Sequence, residues 1–370
     1  MIMFIVNTVV VSRGMKAARW HGQGDIRVED IEEQTVGPDD VRIDVEACGI
    51  CGSDLHEYVA GPIFIPADDP HPVSEERAPI TMGHEFSGVV SEVGADVTAV
   101  SEGMPVTVNP IYWCGECRSC REGRYNLCES LGFVGLSGGG GGFAENVVVS
   151  EEKVVPLAED LSLEYGALVE PLAVALHAGR EIGLQAGDSV AVFGSGPIGL
   201  SVIQVARAAG ATPIIVSEPR DARRELAAEC GADVLLDPSD VDVVDRVRDE
   251  TNGGVDVAFE VAGISATYNA AVESTRNGGR IMVVSIWEDV VETHPNTIVL
   301  SERTVRGSIA YRGGPRSGEE FGMVVDMLAD DRLDPESLIT DRIDLDGVVD
   351  AGFEALLDET SDQVKILVSP

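Results

Sequence analysis

The chain has 370 residues, enough for two or three domains at roughly 100–200 residues each, and its 44% hydrophobic content is that of a globular protein with full cores. A formal net charge of −38, from 64 acidic against 26 basic residues, excludes nucleic acid and anionic lipid as main partners. The surplus is spread along the chain and the only lysines are Lys16, Lys153 and Lys365, which predicts a halophile's cytoplasmic protein, and no apolar run approaches the ~18 residues of a membrane span.

The first residues, MIMFIVNTVVVSRG, are apolar but too short to cross a bilayer. They lack the basic start and small-residue cleavage site of a signal peptide, so residues 1–14 read as a front extension or an added edge strand. Met15 opens the first regular strand, MKAARW. The strand-like VRIDVEA then runs into ACGICGSDLHE, Ala47–Glu57, where Cys51 sits in a glycine-flanked turn. Cys48, and later Cys230, read as small buried hydrophobes.

Ala78–Val90, APITMGHEFSGVV, sets His84 and Glu85 side by side in an otherwise apolar run. Two unpartnered ionisable groups buried there would cost several kcal/mol. Neighbours on a regular strand face opposite ways. Either the strand breaks at Gly83, or Glu85 lies behind whatever His84 binds.

Cys114, Cys117, Cys120 and Cys128 follow in CGECRSCREGRYNLC, spaced C-x2-C-x2-C-x7-C. Cytosolic thiols at such intervals suit tetrahedral zinc better than disulfides. An iron–sulfur cluster is the other group that four thiolates serve. Four sulfurs leave no open position, so the site is expected to be structural. The glycine run Gly138–Gly142 feeds the strand FAENVVV and no helix, so it reads as a turn rather than a phosphate cradle.

In ALVEPLAVALHA, Pro171 suits the first position of a helix, with Glu170 at its N-terminus. Each of Cys51, His84 and Glu170 has a plain explanation alone: a buried thiol, a hydrogen-bonded core histidine, an N-capping acid. Together they offer three ligands with a fourth position open, the pattern of catalytic zinc. Glu85 is expected close to that zinc as an occasional ligand, and Asp54 to orient His84 through its free ring nitrogen.

Asp188–Gly199 reads DSVAVFGSGPIG: a strand, then Gly194-Ser195-Gly196-Pro197-Ile198-Gly199, then the helical LSVIQVARAAG. Between strand and helix that pattern is a dinucleotide fingerprint, with the pyrophosphate on the helix N-terminus. The next strand, TPIIVSE, ends at Glu218, 19 residues past Gly199. An acid there binds the adenosine ribose and repels a 2′-phosphate, which favours NAD over NADP. Arg220, Arg223 and Arg224 stand nearby, either at a solvated helix start or against the cofactor, and Arg223 is taken with the cofactor-binding residues. The apolar strands VDVAFEVAG and GRIMVVSIW complete alternating strands and helices from about 166 to 310, a doubly wound parallel sheet of α/β class.

CGICGSDLH, GHEFSG, the four-cysteine lobe, LVEPLAVALHA and GSGPIG, in that order, resemble the zinc-dependent medium-chain alcohol dehydrogenases over about residues 15–370. Within that family the chain is most similar to the subgroup acting on (R,R)-2,3-butanediol, through LHEYVAGPIFIP, LGFVGLSGGGGGFAE and ERTVRGSIAYR. Sorbitol, threonine and plain secondary-alcohol dehydrogenases are the more distant alternatives. The resemblance implies a GroES-like, β-rich catalytic domain at 15–168 and 311–370, split around a Rossmann domain at 169–310, with the site between them. It implies one catalytic zinc on Cys51 and His84, with Glu85 and Glu170 as candidates for the further position, and one structural zinc. It also implies a proton route through Ser53, the cofactor ribose and His56. The expected substrate is a small alcohol or diol, and the expected assembly a homodimer or homotetramer, pairing through an edge strand between GRIMVVSIW and RTVRGSIAY. The same fold kept for nucleotide binding without turnover is the reading of another class.

Overall fold

A computed structural model describes residues 14–370; of the expected front extension, all but Gly14 lies outside the described residues. The strand Asp40–Gly49 shows why this sequence builds a sheet. Val41, Ile43, Val45 and Ala47 alternate inward while Arg42, Asp44 and Glu46 alternate outward. It is the spine of a seven-stranded, mostly antiparallel sheet. The order is Val154–Pro156, Pro105–Val108, Glu85–Val93, Asp40–Gly49, Ile366–Ser369, Asp341–Asp344, with Asn146–Ser150 also paired to the spine. The last two strands come from the far end of the chain, so both ends build one sheet.

Between these ends lies a six-stranded sheet that is parallel throughout: Val234–Leu236, Ile214–Ser217, Val190–Phe193, Val255–Glu260, Thr275–Val283, Thr304–Gly307. Its inner strands read as continuous apolar runs because helices cover both faces. The order reverses between Val190–Phe193 and Val255–Glu260, which opens a crevice beyond their C-terminal ends. Among the described residues, Thr304–Gly307 is one of the two free edges of this sheet.

Two local details differ from the sequence reading. The helix Val169–Ile182 begins before Pro171, which therefore stands third rather than first. Amides of a first turn have no intrahelical partner, so the proline ring is tolerated there. The strand expected at GRIMVVSIW begins earlier, at Thr275, and stops at Val283, leaving Ile286 free to face a cavity. The strand around His84 does break: it begins at Glu85, one residue after His84. Gly138–Gly142 forms a packed loop; a Cβ on Gly139 would lie 1.8 Å from the Tyr112 hydroxyl. Among the described residues, no helix is long and apolar enough to cross a membrane.

Candidate active site

Cys51 caps the helix Gly52–Ala60 directly after the spine strand. The Cys51 amide donates to Asp54 Oδ2 at 2.9 Å, while Asp54 Oδ1 lies 3.4 Å from His84 Nδ1. Both of the latter atoms are buried without a hydrogen bond. On its other side, His84 Nε2 lies 3.3 Å from Ser53 Oγ. Gly83, at φ +94°, makes the turn that delivers His84; a Cβ there would sit 2.7 Å from the Cys48 sulfur.

Ligand atoms of Cys51, His84 and Glu85 all lie within 4.8 Å of one another. Glu170 is outside that trio but lines the same cavity, and Tyr311 Oη donates to its Oε1 at 2.6 Å. Burial pushes the Glu170 carboxyl up to about 7, helped by the Glu85 charge, while His84 and the Tyr311 hydroxyl pull the other way. A thiol, an imidazole and two carboxylates gathered around one cavity suit a borderline dication such as zinc.

Glu85 has a partner that the sequence reading missed. Lys365 Nζ donates to Glu85 Oε1 at 2.8 Å and Oε2 at 2.6 Å, and to the Ile50 carbonyl at 2.9 Å. Both side chains are 1% exposed. Burial works against the ammonium, but the Glu85 carboxylate, together with the Cys51 and Glu170 charges, outweighs it and holds Lys365 above its usual range. Gly49, paired with Glu85 across the sheet, makes room for this: its Cβ would lie 2.2 Å from Glu85 Oε2. One of only three lysines, directly before the apolar last strand Ile366–Ser369, was the available signal.

The cavity, about 410 Å³, joins Cys51, Ser53, His56 and His84 to Gly196, Pro197 and Ile198 at the parallel-sheet crevice. Much of its wall is apolar, including Phe64, Phe133, Leu136, Val174 and Ile309. His56 is partly exposed, with Nδ1 3.1 Å from Glu288 Oε1.

At the glycine turn, Gly194 has φ +103°, and a Cβ on Gly199 would lie 2.1 Å from the Gly194 carbonyl oxygen. Gly196 differs: a Cβ there would meet nothing within 4 Å, so its bareness serves something other than protein packing. Gly196 caps the helix Pro197–Ala208, whose amides point into that space. Glu218 Oε2 accepts from Ser195 N at 2.9 Å and Ser195 Oγ at 3.2 Å. Arg224 turns to Asp221 and Asp237, whereas the Arg223 Nε is buried without a partner. The cradle fits a dinucleotide.

The sulfurs of Cys114, Cys117, Cys120 and Cys128 also converge within 4.8 Å, on a lobe closed at its base by the strands Ile111–Tyr112 and Gly132–Phe133. Backbone amides point at the sulfurs: Cys114 N to Cys128 at 3.2 Å, Cys117 N to Cys114 at 3.3 Å, Ser130 N to Cys128 at 3.3 Å. The Cys120 amide pulls the Cys117 thiol down to about 6. Amide donors aimed at sulfur fit thiolates on a metal, and the described residues hold no disulfide.

Two family models match the chain: "Alcohol dehydrogenase GroES-like domain" over residues 37–159 and "Zinc-binding dehydrogenase" over residues 197–330. The chain belongs to the zinc-binding alcohol dehydrogenase family. Members are oxidoreductases acting on CH–OH with zinc and NAD(P), on a GroES-like domain joined to a parallel-sheet Rossmann domain. This dehydrogenase is 52% identical to the (R,R)-butanediol dehydrogenase of Bacillus subtilis (strain 168), over 96% of this chain and 100% of that one. The crystal structure of 2R,3R-butanediol dehydrogenase from Bacillus subtilis matches it with a TM-score of 0.90 at 51% identity, covering 96% and 99% of the two chains. A zinc-binding dehydrogenase from Sinorhizobium meliloti 1021, bound to NADP, matches with a TM-score of 0.87 at 35% identity, covering 97% and 100%.

Proposed function

We propose that this dehydrogenase interconverts (R,R)-2,3-butanediol and acetoin with NAD. The observation that carries the reading is the cavity: Cys51, Ser53, His56 and His84 at one end, the glycine turn at the other, apolar walls between. Such walls suit a short diol with methyl ends, and the 52% identity to a butanediol dehydrogenase supports the same substrate. Glu218, at the end of the second parallel strand, supports NAD over NADP. The catalytic domain is assigned to 15–168 and 311–370 and the Rossmann domain to 169–310.

Cys51 and His84 hold the catalytic zinc, with Glu85 or Glu170 supplying a carboxylate; Cys114, Cys117, Cys120 and Cys128 hold the structural one. Bound, zinc would supply Lewis-acid stabilisation of charge developing on the substrate oxygen, and NAD the hydride acceptor. Asp54 keeps the His84 ring turned so that Nε2 faces the cavity. The Lys365 ammonium offsets one carboxylate charge beside the site. Ser53 Oγ accepts the substrate hydroxyl proton as its own hydroxyl proton moves on toward His56, which, paired with Glu288 at the mouth, releases a proton to solvent. Phe133 and Ile309 exclude water from the reacting carbon. We place the protein in a halophile's cytoplasm as a homo-oligomer paired through the free Thr304–Gly307 edge.

The test is NADH formation in molar salt, before and after chelation and after zinc is returned. Zinc-restored turnover of (R,R)-2,3-butanediol, well above sorbitol and threonine, is expected. Preference for sorbitol or threonine would move the substrate to those subgroups. Zinc-loaded protein inert to every alcohol would point to nucleotide binding without turnover.

A further inference from the structure

Phe64 lines the outer part of the cavity. Its ring stands edge-on to Phe133, with centroids 6.5 Å apart at 87°, and Phe133 in turn lies 6.4 Å from the His84 ring. The three rings form one continuous wall that ends at a zinc-site residue. Yet Phe64 belongs to a segment with no strand or helix, so no ladder of hydrogen bonds fixes it.

What fixes its amide is one carboxylate, while its carbonyl accepts from Ser137 Oγ at 3.5 Å. Glu57, from the helix that starts after Cys51, accepts from three successive amides. Ile63 N lies 3.0 Å from Oε2, Ile65 N lies 3.1 Å from Oε1, and Phe64 N donates to Oε1. Glu57 is fully buried, and among the described residues no cation pairs with it. A buried carboxylate without a cation is expensive unless such donors satisfy it. Its backbone is anchored as well: the Glu57 carbonyl accepts from the Trp20 indole at 3.0 Å and from Gly61 N at 3.0 Å. Gly61 permits the approach, since a Cβ there would lie 2.6 Å from Glu57 Oε2.

We propose that Glu57 is a positioning residue that sets substrate selectivity. By gripping the amides of Ile63–Ile65 it holds Phe64 as the apolar outer wall. That wall accepts a short vicinal diol with methyl ends. It rejects a polyol, whose further hydroxyls would be buried against Phe64, Phe133 and Leu136 without partners. The inference rests on the diol reading of the cavity.

The experiment compares wild type, Glu57→Gln, Phe64→Ala and the double variant, as full-length zinc-loaded protein. Steady-state kinetics use (R,R)-2,3-butanediol and sorbitol as probes. Glu57→Gln keeps the volume and one acceptor oxygen, but it removes the charge that three amides satisfy and sets an amide donor against Ile63 N. It is expected to raise the KM for the diol about tenfold with kcat within about twofold, and to narrow the diol-to-sorbitol ratio of kcat/KM about tenfold. The KM for NAD stays unchanged, which separates this effect from general loosening. Phe64→Ala is expected to do the same, and the double variant to be no worse than Phe64→Ala alone, because both act through one wall. Additive effects, or an unchanged ratio in Glu57→Gln, would overturn the proposal. If Glu57→Gln does not fold, half-buried Phe64 decides: an unchanged ratio in Phe64→Ala overturns it. Wild type inert to the diol would overturn the substrate reading as well; failure in an active wild type overturns this inference alone.

Discussion

At the residue scale, the site depends on charges that cancel out of reach of water. Glu85 and Lys365 are 280 positions apart in sequence and both 1% exposed. Removing one partner of such a pair strands the other, at a cost of about 3–5 kcal/mol. Lys365→Met should therefore lower the denaturation midpoint sharply, and Glu85→Gln added to it should restore most of the loss, as read by denaturant titration of the zinc-loaded chain. Equal stability of Lys365→Met and wild type would show that something else neutralises Glu85. The hydroxyl of Ser53 has a different role, at the His84 nitrogen and the cavity. Ser53→Ala should keep its zinc and lose about 10²–10⁴-fold in turnover if the hydroxyl moves the proton. Undiminished turnover at unchanged zinc content would remove Ser53 from the mechanism.

At the element scale, local signals were legible and long-range ones were not. The glycine turn needs its residue types within six positions, because a strand, a tight turn and a helix start are built from consecutive residues. The four cysteines likewise fall within fifteen positions. Cys51 and His84 stood out because a thiol and an imidazole beside glycines in apolar strands have few cheap explanations. Asp54 was legible beside His84, three residues past Cys51, but the long-range partners of Glu170 and His56 were not. Tyr311 reaches Glu170 across 141 positions, and Glu288 reaches His56 through a loop on the other sheet. Nothing in residue type specifies such pairings; the sheet orders do. Glu57 was hidden differently: it lies on a helix whose polar residues all look alike in sequence, and only the returning segment shows which one is buried. Lys153 is a further case, beside the cysteine lobe. Its Nζ lies 4.4 Å from the Tyr112 ring centroid and 4.5 Å from that of Trp113. Burial pulls it from 10.5 down to about 7, against the opposing pull of Glu152. Between those two values the unfolded chain carries a proton that the folded chain does not. Stability should then rise with pH by on the order of 1 kcal/mol per unit from about pH 7 to 10. Lys153→Met should flatten that slope in denaturation measured at constant salt and zinc; an identical slope would mean the aromatic faces keep the ammonium charged.

At the scale of the whole molecule, the charge of −38 is the dominant unsatisfied term. Several of the arginines are already committed, such as Arg42 to Glu92 and Arg280 to Asp188, and they cannot balance the remaining acids. Self-repulsion of this kind favours the expanded chain and is relieved by salt. The screening length falls from about 10 Å at 0.1 M to about 3 Å at 1 M. If repulsion is what limits stability, melting should rise by about 10 °C between those concentrations and then level off, a gain of several kcal/mol. Exclusion of ions from the surface would instead keep raising it with concentration, and would do so more with sulfate than with chloride. Melting curves in potassium chloride and potassium sulfate, matched in ionic strength and extended to 3 M, separate the two. Coincident curves that saturate near 1 M identify screening. A steady climb with sulfate ahead of chloride identifies exclusion, and a flat profile would mean that the acids are spaced widely enough for water alone to separate them.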